Sequence, residues 1–246
     1  MRQSIANPTA RADLRRWPLD PSIVHLVLLD VHMEPSADAI GGWVRDAFRS
    51  PDIARIRTGA LFPAAADAFL DAGFAVVDRL ALLERALHDR LHVAAPADLA
   101  TIALRVRDLD AAADIDRSAF PDGWQHDAAS LHEIASATPR SRRRLVTSST
   151  RRRPASRRAA PIGFAITGSA GPNGYLQRLA VHPEARRNGA ARLLVDDALA
   201  WLVRRGAQRA MVNTGVDNLA ALELYRRAGF DRLRDELVVV EFTRPA

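Results

Sequence analysis

Arg186, Arg187, Asn188, Gly189, Ala190 and Ala191 stand directly after a strand-like stretch, Tyr175 to Val181, and lead into a long helical pattern. Arginines, a glycine and small residues in that position have the chemistry of an anion site. A helix N-terminus offers backbone N–H groups with no intrahelical acceptor and about half a positive charge. Gly189 and Ala191 let phosphate oxygens approach the main chain, and Arg186 and Arg187 add positive charge. A glycine at a helix start is more often a local convenience. Here the preceding strand and the flanking arginines favour the anion. Further on, Asn218 opens another helix, Tyr225 lies two turns along it, and Ala228-Gly229-Phe230 closes it. Taken alone, Tyr225 reads equally as an amphipathic-helix tyrosine closing the core.

These residues need elements to hold them. Tyr175 to Val181 reads as a strand, and Glu184 to Arg205 as a helix with Leu194, Ala198, Trp201 and Leu202 at i, i+4, i+7 and i+8, ended by Gly206. Ala210 to Asn213 reads as a short buried strand, Asn218 to Ala228 as a helix, and Leu237 to Phe242 as a final strand. In front of them, Thr101 to Val106 is expected as a strand, and Leu109 to Ser118 and Ala128 to Ala137 as helices. Leu145 to Thr147 and Ile162 to Thr167 are expected as a hairpin.

Part of this pattern occurs twice. Ile56 to Phe74 aligns without a gap to Val212 to Phe230, and seven of nineteen positions are identical. That is more than the one or two matches, roughly, that chance gives in an Ala-rich chain. Upstream, Val31-His32-Met33-Glu34 echoes Val181-His182-Pro183-Glu184. Both copies read as strand, helix, strand, strand, and the first lacks the front section of the second. The expected division is 1–96 and 97–246, near Ala95-Pro96. The first part has too little chain for its own core and is expected to pack on the second. Where the second copy has Tyr225, Asn218, Arg186 and Gly189, the first has Phe69, Phe62, Ser36 and Ala39. Both the proton-bearing phenol and the anion loop are therefore missing from it.

Composition removes several chemistries. The chain has no cysteine, and all 35 basic residues are arginine. Thiolate nucleophiles, Cys-held metals, Schiff bases and phosphate-binding lysines are excluded, as is acetylation of the chain's own lysines. Nine arginines and no acid fall between Arg140 and Arg158, leaving 26 arginines against 29 acids elsewhere. That run reads as a solvated loop between the two hairpin strands, or alternatively as a patch for nucleic acid or an acidic partner. It contains no aromatic residue to stack on bases. His88 and His92 have the spacing of paired metal ligands but no third ligand beside them, so no metal is expected. The start shows no signal peptide, and its apolar run, Ile23 to Val31, is shorter than the ~20 residues a bilayer needs. A cytoplasmic protein with no membrane partner is the expectation.

The Arg-x-x-Gly-x-Ala loop and the Asn-x6-Tyr-x3-Gly-Phe helix resemble the two signatures of the GNAT superfamily of acyl-CoA-dependent N-acetyltransferases. Ala119-Phe120-Pro121 with Trp124, and Phe164-Ala165-Ile166-Thr167, are similar to the ribosomal-protein alanine acetyltransferases within it. The resemblance covers about 100 to 243, and the tandem layout resembles two-domain members of the superfamily. It implies an α+β fold: a GNAT-type mixed sheet flanked by helices, preceded by a truncated, degenerate GNAT-like domain.

The resemblance also implies roles. The main chain of Leu179, Ala180 and Val181 would pair with the pantetheine arm of acetyl-CoA. Arg186, with the N–H groups of Arg187, Asn188, Gly189, Ala190 and Ala191, would hold the pyrophosphate, Arg192 would lie near the adenosine phosphate, and Asn218 would touch the co-substrate. An amine would attack the thioester directly, with an N–H of the strand stabilising the oxyanion. Tyr225, with an ordinary pKa near 10, would return a proton to the sulfur. The strand positions that carry a base in some members hold Tyr175, Gln177, Met211 and Asn213, none of them a base. His126 and Glu133 are candidates without a place. The amine acceptor stays open among a protein N-terminus, a polyamine or antibiotic, and a mycothiol-like precursor. A non-catalytic acetyl-CoA-binding regulator is the alternative.

Overall fold

A computed structural model of the chain describes residues 10–29, 33–88, 96, 98–148 and 160–245. In chain order the elements are β1 (Ala12–Trp17), β2 (Asp20–Leu28), α1 (Ala37–Ala47), β3 (Arg55–Thr58), α2 (Pro63–Asp71) and β4 (Ala75–Ala86). There follow β5 (Leu99–Ala103), α3 (Leu109–Ala119), α4 (Ala128–Ser136), β6 (Arg140–Ser148), β7 (Pro161–Ala170) and β8 (Asn173–Val181). The chain continues with α5 (Ala190–Arg204), β9 (Arg209–Gly215), α6 (Leu219–Arg227) and β10 (Asp231–Thr243).

Two compact units interleave in sequence, where the reading above drew one cut near residue 96. The first is Met1–Leu82, Gly215–Asp217 and Leu233–Ala246, and the second is Leu83–Thr214 and Asn218–Arg232. The cause lies in the last strand of each copy. In the first unit β10 pairs antiparallel with β3, setting Glu241 opposite Arg57 and Phe242 opposite Ile56. Thr58 Oγ1 accepts the Val240 N–H at 3.1 Å and donates to the Val240 carbonyl at 3.3 Å. Arg244 donates to the carbonyls of Phe48, Ser50 and Ile53, closing the C-terminal end of α1. In the second unit the end of β4 serves α6: Arg85 donates to the Ala228 carbonyl, where a cation suits the negative helix end.

Within the first unit, one sheet face carries Val24, Leu26, Ile56 and Val240 against Ile40 of α1 and Phe69 of α2. The other face holds a polar row in register, Arg15, His25, Arg57 and Glu241. Burial, with Arg15 and Arg57 on either side, pushes the His25 imidazole down to about 4. The unfolded chain takes this proton near pH 6.5, whereas the folded one refuses it until about pH 4. Stability is therefore expected to fall as pH drops through that window, by about 2 to 3 kcal/mol between pH 7 and 4.5. His25→Gln should flatten that part of a urea-midpoint profile. An unchanged profile would refute it.

In the second unit, strands β8, β7, β6 and β5 follow one another antiparallel. Alternate residues face opposite sides. Leu145, Phe164, Ile166 and Ala180 pack under α3 and α4, while Val146, Ala165 and Val181 pack under α5. The arginine run does not start as a loop: Arg140 to Arg144 belong to β6. Arg142 donates to Asp197 of α5 at 2.7 and 2.8 Å, and Arg144 lies 3.6 Å from the same carboxylate. Period-2 alternation puts these two guanidiniums on the α5 face, where Asp197 neutralises one of them. Residues 149–159, with Arg151, Arg152, Arg153, Arg157 and Arg158, lie outside the described residues, as does His92. Among the described residues no group of three or more His, Asp or Glu could hold a metal. None of their helices is long and apolar enough to cross a membrane.

Candidate active site

β8 and β9 run parallel but pair only at Asn173–Arg209, Gly174–Ala210 and Tyr175–Met211. β8 continues to Val181 and β9 to Gly215, so the strands part after Tyr175. From Leu176 onward the β9-side edge of β8, including Leu179, Ala180 and Val181, has no strand partner among the described residues. Such an edge can take an extended ligand as an added strand. A bulge lies at the same place. Ile166 faces Arg178 and Thr167 faces Leu176, so Gln177 is the extra residue. Gly168 makes room for it, because a Cβ there would sit 2.7 Å from Gln177 Oε1 and 2.4 Å from Thr138 Oγ1.

The loop after β8 differs from the expected helix start at Glu184. Pro183–Ala185 form one 3-10 turn, and α5 begins six residues later at Ala190. Arg187 takes φ 65° and Gly189 φ 89°, left-handed conformations that break a helix begun at Pro183. The α5 N-terminus has no side-chain cap at Gly189, although Asn188 Oδ1 accepts the Ala190 N–H at 3.1 Å. Exposed Arg186 and Arg187 flank it, and Arg186 makes one long contact, 3.4 Å, to the Ala119 carbonyl. Arg192 is engaged instead with Asp196 at 2.8 Å and with the Arg227 carbonyl at 2.9 Å.

Asn218 caps α6, accepting the Ala221 N–H and donating to Thr214 Oγ1, both at 3.2 Å. Tyr225 is the buried residue of that helix, its ring edge-on to Phe230 at 5.7 Å. Its hydroxyl makes no hydrogen bond to another described residue. Burial pushes the phenol up to about 12, so it keeps its proton at every physiological pH. Of the two unplaced base candidates, His126 has its main chain on Asp116 and Glu133 is exposed on α4.

The first copy lacks each of these features. β2 stays paired with β3 to Thr58, and the Gly59 N–H extends the ladder to Leu26 at 2.9 Å. The N-terminus of α1 is closed by Ser36, whose Oγ accepts the Ala39 N–H. Phe69 is fully buried against Trp43 and Phe74.

Sequence reasoning missed one group. Arg178 on β8 forms a forked pair with fully buried Asp116 of α3, at 2.7 and 2.9 Å. The signal was an acid seven residues after Leu109 on the apolar stripe of α3.

Residues 109–230 match the family described as "Acetyltransferase (GNAT) family". A 61-residue stretch is 41% identical to N-alpha-acetyltransferase 30 of Schizosaccharomyces pombe, covering 25% of this chain and 41% of that protein. The chain thus spans about two fifths of the length of this curated relative. In fold it is similar to a GCN5-related N-acetyltransferase from Sphaerobacter thermophilus, with TM-score 0.64 and 14% identity over 97% of this chain and 78% of that one. It is also similar to a tandem GNAT protein from the clavulanic acid biosynthesis pathway, with TM-score 0.65 and 14% identity over 92% and 76%. With the match over 109–230, this segment of the chain belongs to the GNAT acetyltransferase family.

Proposed function

We propose that the chain is an N-acetyltransferase that moves the acetyl group of acetyl-CoA to a primary amine through its second copy. The observation that carries this reading is the unpaired β8 edge leading into the N-terminus of α5. An extended amide-bearing arm fits along Leu179–Val181, and its diphosphate falls at the N–H groups of 187–191 beside Arg186 and Arg187. Main-chain N–H groups on that edge are available to a developing oxyanion. As the nitrogen–carbonyl bond forms and the carbon–sulfur bond breaks, Tyr225 gives its phenolic proton to the departing sulfur, and water that takes up the amine's proton returns one to the phenolate. Asn218 and Arg192 act here as holders of α6 and α5, since their side chains are already bonded. The first copy, with its strands paired and its helix capped, binds no acetyl-CoA and serves as a partner in the fold.

The acceptor belongs to the amine class, with a protein N-terminus favoured by the N-alpha-acetyltransferase relative. The test is calorimetric titration of the full chain with acetyl-CoA. Thiol release is then followed with a panel of Ala-, Ser- and Met-initiated hexapeptides, spermidine and an aminoglycoside. One site per chain and release on at least one amine are expected. Binding without release on any of them would instead support a silent acetyl-CoA-binding regulator, which the lack of a base at Tyr175, Gln177, Met211 and Asn213 favours. Gly189→Asp puts a carboxylate and a strained φ where the diphosphate sits. It should raise the acetyl-CoA Kd at least about tenfold, or about 1.4 kcal/mol. Unchanged affinity would remove the loop from the site.

A further inference from the structure

Asp116 and Arg178 hold more than each other. Arg178 Nη2 also donates to the Trp124 carbonyl at 2.8 Å, and its guanidinium lies 3.5 Å from the centre of the Phe120 ring. Asp116 Oδ1 accepts the His126 N–H at 2.8 Å. Gln125 Nε2 donates to the Phe120 carbonyl at 3.1 Å and to the Arg117 carbonyl at 3.2 Å. The connection between α3 and α4, residues 120–127, is thereby bound at several points to one buried carboxylate and one strand arginine. Charges this deep are a poor way to gain stability, because apolar side chains of the same volume would hold the helix as well. What a forked guanidinium adds is direction: it fixes a carbonyl and a ring at once.

The direction has a use. α5 packs on one face of the sheet and α3 and α4 on the other. An acyl carrier with its phosphates at 187–191 runs back along Val181 to Leu179, so its acyl end arrives beside Arg178. With the carrier along the β8 edge, α5 itself covers one face of the sheet, and the amine approaches from the face that holds residues 120–127. We infer that Asp116 and Arg178 are positioning residues for the acceptor, holding the 120–127 connection as the wall that presents the amine to the thioester. This rests on the acetyl-transfer reading above.

The test uses the full chain, D116N and R178K, with the amine from the panel above that releases thiol fastest. D116N keeps the shape and removes the charge, whereas R178K keeps the charge and removes the fork. For both, the amine KM should rise at least tenfold while the acetyl-CoA Kd stays within twofold. Amide exchange in 120–127 should quicken, with β8 and α5 unchanged. F120L, which leaves the ion pair intact, should give a smaller rise of about threefold. An unchanged amine KM in variants that still bind acetyl-CoA would overturn the inference. So would joint loss of acetyl-CoA binding in D116N and R178K, which would make the pair merely structural. Failure of the unaltered chain to transfer acetyl at all would bring down the transferase reading and this inference with it. An active unaltered chain with unaffected variants would bring down this inference alone.

Discussion

Replacing Tyr225 with Phe is expected to lower turnover about 100-fold or more while leaving the fold and the acetyl-CoA Kd nearly unchanged. The hydroxyl bonds to no other described residue, and the ring contact with Phe230 survives in Phe. The substitution therefore removes a proton and little else. Burial pushes the phenol up to about 12, which makes it a weaker acid than a solvated tyrosine. The same desolvation raises the proton affinity of a thiolate expelled beside it, which offsets the weaker acidity of the buried phenol. Single-turnover rates of the variant at several pH values decide the matter. A rate within threefold of the unaltered chain would mean that the proton comes from elsewhere and that Tyr225 only closes the core.

Glu241→Ala is expected to cost about 3 kcal/mol or more in unfolding free energy. Arg57 and Glu241 are each 11% exposed and meet at 2.8 Å, with Arg55 a further 3.7 Å from the carboxylate. Removing Glu241 takes away the carboxylate that meets Arg57 largely out of water, the situation in which broken pairs cost most. In a chain of this length that corresponds to a thermal midpoint lower by roughly 6 to 12 °C. A loss under about 1 kcal/mol would show that water reaches Arg57 and that the ion pair adds little to the hold on β10.

The loop after β8 and the helix α6 were legible because their evidence is contiguous: a strand, two arginines, a glycine and a helix within twenty residues. The start of α5 was misread because Pro183 and Glu184 imitate a helix N-terminus, and nothing local announces that Arg187 and Gly189 will turn left-handed. β6 was shortened because four arginines look like solvent, until Asp197 on a distant helix is known to meet two of them. The pair of Asp116 and Arg178 was half visible, since an acid on the apolar face of α3 demands a cation but does not name it. The interleaving of the units was invisible. Alternating residues say that β4 and β10 are strands, and their period is the same whichever edge they join.

The pairing of β10 with β3 sets a timetable. Thr58 meets Val240 at a sequence separation of 182. As the polypeptide emerges from the ribosome, the early sheet must wait with one edge open until β10 has been made. Loop closure over such a span is slow, and an open edge invites pairing with other chains. The segment between is mostly the second unit, whose parting strands and helix start come from a continuous run of sequence. The nascent molecule is thus set to finish its later half first and to seal its earlier half last.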